Sequence, residues 1–324
     1  MAPLVEIAGL AKHFPLRRGI KDMLAGRHPV LHAVDGVDLT IRKGETVGLL
    51  GESGCGKTTT GRLILRLEEP TTGTIRFDGT DIVGLKGPAL RAFRRRAQLV
   101  FQNPFDALNP RFTILRALAE PLVNAGIDRA EHRARIERAL SRVHLPGLDR
   151  IAERFPHQLS GGQLQRIVLA RALVLEPEFL VADEPVSMLD VSVRAGVLNV
   201  MREVRDAMGL AAVYISHDLA LVRYVCERTL VMYLGRVVED GPTEAVVRDP
   251  QHPYSRALVK AVPVPHVDQS HDPLPIIGSV PDARDPPSGC RFRDRCPSAV
   301  ARCAEESPAL REIAPGRRAA CHLI

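Results

Sequence analysis

The sequence predicts an α/β fold built around a covered, largely parallel sheet. Short apolar runs typical of buried strands recur at 46–50, 99–101, 179–182 and 211–215. Segments of helix length separate these runs, which favours parallel strands that are joined by helices. The first run ends in a glycine-rich turn at Gly51, and a helix-compatible segment follows from Lys57 to Leu67.

A helical subdomain is predicted to interrupt this core. Between 103 and 156 the pattern turns helical: within 129–145, Ile136, Leu140 and Val143 recur at helical spacing, with charged residues on the other faces. We expect an inserted α-helical subdomain at about 103–158. Residues 15–34 have little periodicity, and we expect them to form a loop insertion.

The end of the main domain is marked by a change in composition. Residues 229–241 read as two strands on either side of Leu234-Gly235, and Pro242 then breaks the pattern. From 249 onward proline becomes frequent, and a cluster of cysteines follows. We therefore expect the main domain to span 1–248 and a separate C-terminal domain to span 249–324.

The bulk composition excludes several classes of protein. The chain has 324 residues, a net charge of +6 and 25% charged residues, which is ordinary for a folded protein of two or three structural units. The excess charge is mostly scattered arginine, and its densest run, at 91–96, is too short for a nucleic-acid arm. The best apolar stretch, 167–182, is interrupted by charges and proline, so no segment is expected to cross a membrane. The N-terminus lacks the features of a signal peptide, and we expect the chain to remain in the cytoplasm.

The segment from Gly51 to Thr58 fits the phosphate-binding pattern G-x-x-x-x-G-K-[ST], and a strand precedes it and a helix follows it. Glycines let backbone N–H groups wrap a polyphosphate, Lys57 can reach the β and γ phosphates, and Thr58 can hold Mg²⁺. The alternative interpretation is a glycine-rich structural turn. The candidate ATP-binding residues here are Gly51, Ser53, Gly54, Cys55, Gly56, Lys57, Thr58 and Thr59.

A pair of carboxylates forms a second motif. The apolar run 179–182 ends in Asp183 and Glu184, where an ATP-hydrolysing enzyme needs a carboxylate for Mg²⁺. Asp183 is the candidate for that role, and Glu184 is the candidate general base that polarises the attacking water. Such a pair on its own is usually a solvated strand end, but the phosphate-binding motif strengthens the catalytic interpretation.

The sequence LSGGQ at 159–163 lies between these two motifs and directly before a predicted helix. With it the chain resembles the ABC ATPase family. The match includes Gln102 in VFQNP, Asp190 in SMLD and His217 in YISHD. The resemblance implies a P-loop NTPase (RecA-like) core with the ABC antiparallel β subdomain, the inserted helical subdomain and a small C-terminal appendage.

The resemblance also implies how the LSGGQ segment acts. In this family two subunits form a head-to-tail dimer, and ATP on the phosphate loop of one is closed over by the other. Hydrolysis then needs two chains. The residues of this sequence that would contribute to the second face of the site are Ser160, Gly161, Gly162 and Gln163.

Further roles follow from the same resemblance. Gln102 would sense Mg²⁺ and the attacking water, His217 would contact the γ-phosphate, and Asp190 would communicate across the dimer. Phe14 matches the aromatic residue that stacks on adenine, although a core phenylalanine is the alternative. The catalytic candidates are therefore Glu184, His217 and Gln102, and the Mg²⁺ candidates are Thr58, Gln102 and Asp183.

Four features narrow the resemblance to the oligopeptide, dipeptide and nickel branch of bacterial importers. They are the insertion after Phe14, the sequence GESGCGK in the phosphate loop, the segment His252-Pro253-Tyr254 and the pattern GC-x-F-x-x-RC at 289–296. This implies an ATPase subunit that powers import, with di- or oligopeptides as the expected solute. The implied partners are a second, different ATPase subunit, two transmembrane permease subunits and an extracytoplasmic binding protein, with this chain on the cytoplasmic face of the membrane. No nucleic-acid partner is expected.

The alternative function is that of a soluble ABC-type ATPase in nucleic-acid repair or translation. Such proteins generally carry two ATPase cassettes in one chain or insertions that bind nucleic acid. This sequence has one phosphate-binding motif and one LSGGQ segment, which favours the importer.

The cysteines raise a separate question. Cys290, Cys296, Cys303 and Cys321 crowd the end of the chain, and four thiolates suit either a 4Fe–4S cluster or a structural zinc. The gaps between them are wider than in zinc knuckles, which favours the cluster, while metal-free thiols remain the third interpretation. Cys55 in the phosphate loop lies where backbone N–H groups could stabilise a thiolate, with a small spacer residue as the alternative.

Overall fold

The computed structural model describes residues 2–16, 29–262 and 276–324. The chain divides into two compact units. The first consists of Met1–Leu4, Ile41–Thr46 and Asp78–Tyr214, and the second of Val5–Thr40, Val47–Phe77 and Ile215–Ile324. The C-terminal part of the chain therefore belongs to the same compact unit as the glycine-rich segment that begins at Gly51.

The strands of the described chain are, in order, β1 (Pro3–Pro15), β2 (Val30–Arg42), β3 (Thr46–Leu50), β4 (Thr72–Phe77), β5 (Thr80–Asp81), β6 (Ala97–Val100), β7 (Phe179–Asp183), β8 (Ala211–Ser216), β9 (Arg228–Tyr233), β10 (Arg236–Pro242), β11 (Arg311–Ala314) and β12 (Arg317–Ala319).

The α-helices of the same residues are α1 (Lys57–Ile64), α2 (Gly87–Arg96), α3 (Pro104–Ala107), α4 (Ile114–Asn124), α5 (Arg129–Arg142), α6 (Leu148–Ile151), α7 (Gly161–Leu173), α8 (Val191–Met208), α9 (Leu219–Val225), α10 (Thr243–Arg248), α11 (Pro253–Lys260) and α12 (Arg302–Glu305).

In the first unit, β6 and β7 form a parallel pair whose register joins Ala97 to Phe179 and Val100 to Ala182. Every residue of β7 is buried, which explains why its sequence is apolar up to the final aspartate. The carboxyl ends of parallel strands lie at the same edge of a sheet. The residues that directly follow β6 and β7 therefore emerge side by side.

The first unit also contains the predicted helical segment. Helices α4 and α5 both pack against α7, and Leu118 and Leu122 of α4 and Ile136 and Leu140 of α5 are fully buried. These apolar residues follow the helical period on which the prediction rested. The helical character of this segment is confirmed.

The second unit contains two sheets. In one, β1 lies between β2 and β4 and runs antiparallel to β4. In the other the strands follow the order β11-β12-β10-β9-β3, with β9 parallel to β3 and antiparallel to β10. The C-terminal hairpin β11–β12 thus extends the sheet in which β3 leads into the glycine-rich segment. The α/β fold class is confirmed.

Three local predictions need correction. The strand predicted at 99–101 is β6 at Ala97–Val100, because Ala97 is buried and paired although its neighbours are polar. The helix predicted at 57–67 ends at Ile64, since Arg66 adopts a left-handed backbone with φ of 52°. The loop predicted at 15–34 is strand at both ends, because β1 runs to Pro15 and β2 begins at Val30; residues 17–28 lie outside the described residues.

None of the helices in the described residues combines the length and the apolarity that a membrane-spanning helix needs.

Candidate functional site

The glycine-rich loop in the second unit requires glycine for steric reasons. At Gly51, directly after β3, a Cβ atom would lie 2.3 Å from the carbonyl oxygen of Met232. At Gly56 the backbone has φ of 103°, and a Cβ atom would lie 2.1 Å from the carbonyl oxygen of Ala33. Only glycine permits this close approach and this backbone conformation. The loop between β3 and α1 is thus fixed by backbone packing on both sides.

Lys57 begins α1 and is 5% exposed. Its Nζ donates to the carbonyl oxygens of Gly51 at 2.7 Å and Glu52 at 2.9 Å. Gly56, the N-cap of α1, has no side chain that could accept a hydrogen bond from the first turn of the helix. Half-buried Thr58 and Thr59 lie in the same turn.

The environment of Cys55 does not favour the reactive thiolate that was one interpretation of the sequence. It is 4% exposed, and burial raises the pKa of its thiol despite the nearby ammonium group of Lys57. A buried thiol with a raised pKa is a poor nucleophile. The hypothesis of a stabilised thiolate is wrong, and Cys55 serves the loop as a small packed residue, whereas Ser53 and Gly54 beside it are exposed.

A cavity of about 200 Å³ adjoins this loop. One side is formed by loop residues 52–55, and the other by Tyr233 and Leu234 together with Val280, Pro281 and Ala283 from the C-terminal part of the chain. No local sequence pattern predicts that Val280, Pro281 and Ala283, more than two hundred positions along the chain, line this loop. Such neighbours follow from tertiary packing alone.

The carboxylate pair lies in the first unit at the end of β7. Asp183 is 8% exposed, and Glu184 follows with φ of 44°, a left-handed conformation that is uncommon for a residue other than glycine. The Nε2 atom of Gln102, which follows β6, donates to Oε2 of Glu184 at 2.9 Å. The structure therefore brings Gln102 and Glu184 together although they are 82 positions apart. Backbone strain of this kind is concentrated at functional sites.

The glycine-rich segment before α7 is arranged differently from the loop before α1. Ser160 is the N-cap of α7, and its Oγ accepts from the N–H of Gln163 at 3.4 Å while the Ser160 N–H donates to Oε1 of Gln163 at 3.1 Å. This reciprocal capping box fixes the start of the helix. At Gly162 a Cβ atom would meet Cγ1 of Val193 at 2.5 Å. Ser160 and Gly161 are exposed.

The remaining predicted residues lie at element ends. Asp190 is the exposed N-cap of α8, and its side chain makes no capping hydrogen bond. His217 directly follows β8 and is exposed. Phe14 lies half-buried in β1, where Nζ of Lys12 is 4.7 Å from the centroid of its ring. Phe14, His217 and the glycine-rich loop belong to the second unit, and Gln102, the carboxylates, the capped segment and Asp190 to the first.

The four C-terminal cysteines are close enough to influence one another. Burial raises the pKa of the Cys290 thiol, and the neighbouring thiols of Cys303, Cys321 and Cys296 raise it further. The N–H of Cys290 also donates to the carbonyl oxygen of Cys303 at 2.8 Å. The four thiolates would therefore repel one another if all of them ionised without a bound cation.

In the described part of the chain, no three of these thiols have sulfur atoms within 4.8 Å of one another. Around one zinc ion with bonds near 2.3 Å, tetrahedral sulfur atoms lie about 3.8 Å apart. Among the described residues, the group with three ligand atoms within 4.8 Å of one another is His13, His32 and Asp35, without any cysteine. In that group Oδ2 of Asp35 already forms ion pairs with Arg236 and Arg291. These two positive charges oppose the binding of a cation there.

Two family models match the chain. A model described as "ABC transporter" matches residues 34–187, and a model described as "Oligopeptide/dipeptide transporter, C-terminal region" matches residues 238–303. The first match includes the glycine-rich loop, the capped segment and the carboxylate pair. The second includes Tyr254 and three of the four clustered cysteines.

Relatives of the chain match it over almost its full length. A putative peptide import ATP-binding protein of Brucella ovis is 48% identical over 98% of this chain and 97% of its own. A putative oligopeptide transport ATP-binding protein of Bacillus subtilis is 43% identical over 99% and 95%, and a dipeptide transport ATP-binding protein of Haemophilus influenzae is 41% identical over 99% and 97%.

Solved structures match a smaller part. A dimeric ATP-binding cassette in a post-hydrolysis state with ADP and Pi is 28% identical, with a TM-score of 0.63 over 74% of this chain and 98% of the other. The cbiO1 protein from Clostridium perfringens, part of an ABC transporter complex, is 26% identical, with a TM-score of 0.64 over 76% of this chain and 91% of its own.

Proposed function

This chain belongs to the ATP-binding subunits of ABC transporters, and we propose that it hydrolyses ATP to power a bacterial importer of di- or oligopeptides. The observation that carries the proposal is the full-length match, at 41–48% identity, to proteins named as peptide, oligopeptide and dipeptide transport ATP-binding subunits. The match to a C-terminal region described for oligopeptide and dipeptide transporters points to the same class of solute. These relatives are named as import or transport subunits, and nothing in the matches supports the nucleic-acid alternative.

We infer that the glycine-rich loop binds the triphosphate of Mg²⁺–ATP. Backbone N–H groups of the loop and of the first turn of α1 would contact the phosphates, and the ammonium group of Lys57 would move from loop carbonyl oxygens to the β and γ phosphates. Thr58 and Asp183 would hold Mg²⁺, with Gln102 beside it. Phe14 would stack on the adenine ring.

We infer that Glu184 is the general base for hydrolysis. Its carboxylate would accept a proton from the water that attacks the γ-phosphate, and the bond from the γ-phosphorus to the bridging oxygen of ADP would break. Gln102 already holds one carboxylate oxygen of Glu184, which supports an orienting role. His217 would contact the γ-phosphate and stabilise the charge that develops there.

We further infer that hydrolysis requires two ATP-binding subunits in a head-to-tail arrangement. Ser160, Gly161, Gly162 and Gln163 of one subunit would close over ATP on the phosphate loop of the other, and Asp190 would contact the partner. The exposure of Ser160, Gly161 and Asp190 supports such a contact. The solved post-hydrolysis relative is itself dimeric.

The finer assignments of partners and location are part of the same proposal. The partners would be a second, related ATPase chain, two membrane permease subunits and an extracytoplasmic binding protein, and the chain would lie peripherally on the cytoplasmic face of the membrane. The ATPase domain would span 1–248, with its helical subdomain at about 103–158, and a C-terminal domain would span 249–324.

For the C-terminal cysteines we propose a 4Fe–4S cluster, with zinc as the alternative. The mutual influence of the four thiols supports a shared group with four thiolate ligands. Cys290, Cys296, Cys303 and Cys321 would hold it as a structural staple. Anaerobically purified protein should contain about four iron atoms and about four sulfides per chain; one zinc per chain, or no metal, would contradict the cluster.

Co-purification tests the proposed function. The tagged chain, expressed in its own host at native level and extracted in detergent, should retain two integral membrane proteins and a second ATPase chain. An unrelated cytoplasmic ATPase carrying the same tag controls for non-specific capture. Recovery with ribosomes or DNA-repair proteins and without membrane proteins would contradict an importer.

A further inference from the structure

The phosphate loop contains one acidic residue, Glu52, and its carboxylate is paired with a residue from the C-terminal part of the chain. Arg295 donates to Glu52 through two nitrogens, with Nη1 2.8 Å from Oε2 and Nη2 3.1 Å from Oε1. The Arg295 residue is 4% exposed. This is the bidentate geometry in which guanidinium–carboxylate pairs are strongest.

A second contact from the C-terminal part reaches the backbone of the same residue. The Glu52 N–H donates to the hydroxyl oxygen of Tyr254 at 2.8 Å. Tyr254 is 1% exposed, and its ring lies 4.7 Å from that of Tyr233 and 5.4 Å from that of Phe292. The hydroxyl group is therefore held in place by a packed aromatic cluster.

The remaining polar group of Glu52 connects these contacts to the ATP-binding lysine. Its carbonyl oxygen accepts from Nζ of Lys57 at 2.9 Å. The N–H, the carboxylate and the carbonyl group of Glu52 are thus all engaged, the first two by C-terminal residues and the third by Lys57. Arg295 therefore contacts the phosphate loop directly, and a change at Arg295 can reach Lys57 through Glu52 alone.

The charge of this pair bears on ATP binding. A carboxylate in a loop that must accept a triphosphate repels the ligand unless a cation neutralises it. Burial opposes the charge on Arg295, but the contacts with Glu52 and Tyr233 together outweigh burial and raise the pKa of Arg295 above its usual value. Arg295 therefore remains a cation and keeps Glu52 neutralised.

We propose that Arg295 is a positioning residue for ATP: it neutralises Glu52 and holds the phosphate loop in the conformation that accepts the triphosphate. The C-terminal part of the chain thereby completes the ATP-binding site, in addition to any role it has at the membrane. This inference rests on ATP binding by the phosphate loop, as proposed above.

Isothermal titration of the full-length chain with ATP and Mg²⁺ tests the proposal. We expect Arg295→Met to weaken ATP affinity about tenfold, within the range for loss of a charge-assisted hydrogen bond. Glu52→Gln alone should stay within about threefold of the unchanged chain, because removing the carboxylate removes the need for a counter-ion. The double variant with both changes should recover affinity to the same level, a rescue that a purely structural role of Arg295 would not produce.

Arg293→Met is the matched control. Arg293 lies in the same short segment, but its guanidinium contacts Ser288 and Ala304 within the C-terminal part. Its loss should leave ATP affinity within about twofold. Arg295→Lys keeps a cation beside Glu52, and its ATP affinity should stay within about threefold of that of the unchanged chain. This variant replaces Arg295→Met in the experiment if Arg295→Met does not fold.

The outcomes separate this inference from the proposed function. Absence of ATP binding by the unchanged chain would contradict the phosphate-loop assignment itself. Normal binding by Arg295→Met would overturn the role of Arg295. Charge neutralisation would also be overturned if the double variant, Arg293→Met or Arg295→Lys lost as much ATP affinity as Arg295→Met. Any of these results would show that Arg295 acts through general stability.

Discussion

Two helices of this chain begin in glycine-rich segments, and their first turns differ. Helix α1 begins at Gly56 with no side-chain cap, and the lysine that follows is buried. Helix α7 begins at Ser160 with a reciprocal capping box and exposed neighbours. The start of α1 therefore has no side-chain cap, whereas at the start of α7 the capping box already engages the N–H groups of Ser160 and Gln163.

The comparison also extends to what surrounds each segment. The loop before α1 is tied to the rest of its unit by the Cys55 carbonyl oxygen, which accepts from Gly235, and by both contacts to Glu52. Near α7, Met188 is 64% exposed and Val191 is 81% exposed. We therefore expect the first segment to hold the triphosphate, and the surface near the second segment to meet the partner subunit.

Loss of Lys57 should have the largest effect on ATP affinity. A small effect would contradict the difference proposed between the two helix starts. We expect Lys57→Ala to weaken Mg²⁺–ATP binding by at least about 100-fold, because the loop loses the only cation it directs at the phosphates. Equilibrium binding of a fluorescent ATP analogue measures this. Lys43→Ala, which removes an exposed lysine, is the control, and unchanged affinity in Lys57→Ala would exclude the phosphate loop.

Glu184→Gln should separate binding from chemistry. The amide can keep the hydrogen bond with Gln102 but cannot accept the proton of water, so ATP affinity should be retained while hydrolysis falls by at least about 100-fold. Phosphate release by the assembled complex is the measurement. Glu203→Gln, on an exposed helix face, should hydrolyse ATP normally. Native turnover in Glu184→Gln would assign the base to another residue.

Acid should weaken the unit that contains the phosphate loop. Burial lowers the pKa of His252 to about 3, and its Nδ1 accepts the N–H of Tyr254 at 3.1 Å. Below the usual histidine pKa of 6.5, the unfolded chain binds a proton that the folded chain does not. The free energy of unfolding should therefore be highest above pH 6.5 and should fall by about 1.4 kcal/mol per pH unit from this group as acid is added.

His252→Asn provides the matched variant for this measurement. Its side-chain oxygen can accept the Tyr254 N–H without titrating, so urea unfolding between pH 6.5 and about pH 4.5 should show a shallower slope than in the unchanged chain. Identical slopes in the two proteins would mean that His252 does not contribute to acid sensitivity.

Ser160→Ala should have a smaller effect that sharpens the contrast between the two helix starts. Loss of the N-cap should lower the free energy of unfolding by about 1 kcal/mol. ATP affinity of the isolated chain should not change, because in the proposed dimer Ser160 contacts ATP on the phosphate loop of the partner subunit. Urea unfolding and ATP titration give both values, and a loss of affinity without loss of stability would place Ser160 at its own ATP site.

The smallest effect concerns Cys55. Because the thiol is buried and its pKa is raised, alkylation should be at least about tenfold slower than that of free cysteine, with or without ATP. Mass spectrometry of the peptide that contains Cys55 follows the rate. Rapid labelling that ATP prevents would restore the hypothesis of an accessible, reactive thiol.

The sequence predicted those features that depend on neighbouring residues. The glycine pattern at 51–56 predicted the loop between β3 and α1 because close backbone packing requires glycine at Gly51 and Gly56. The apolar run before Asp183 marks β7 because all of its residues are buried. The strand at 97–100 was placed two residues late, since Ala97 and Gln98 carry no apolar signal of their own.

Contacts between distant residues could not be predicted in this way. The pair Arg295–Glu52 joins residues 243 positions apart, and the contact of Tyr254 with the Glu52 N–H spans 202. Each depends on how the C-terminal hairpin pairs with β10 and how the aromatic cluster packs. No local pattern records such a pairing: Arg293 and Arg295 lie two positions apart in one short segment, yet Arg293 contacts Ser288 and Arg295 contacts Glu52.

The measurement that tests the central claim most directly is phosphate release by the complete complex in proteoliposomes, with a mixture of di- and oligopeptides and the extracytoplasmic binding protein. We predict ATP hydrolysis that depends on Mg²⁺, rises several-fold when peptides are added and disappears in Glu184→Gln. Hydrolysis that is indifferent to peptides and rises instead with DNA or RNA would contradict an importer. Hydrolysis that persists in Glu184→Gln would contradict the assignment of the base.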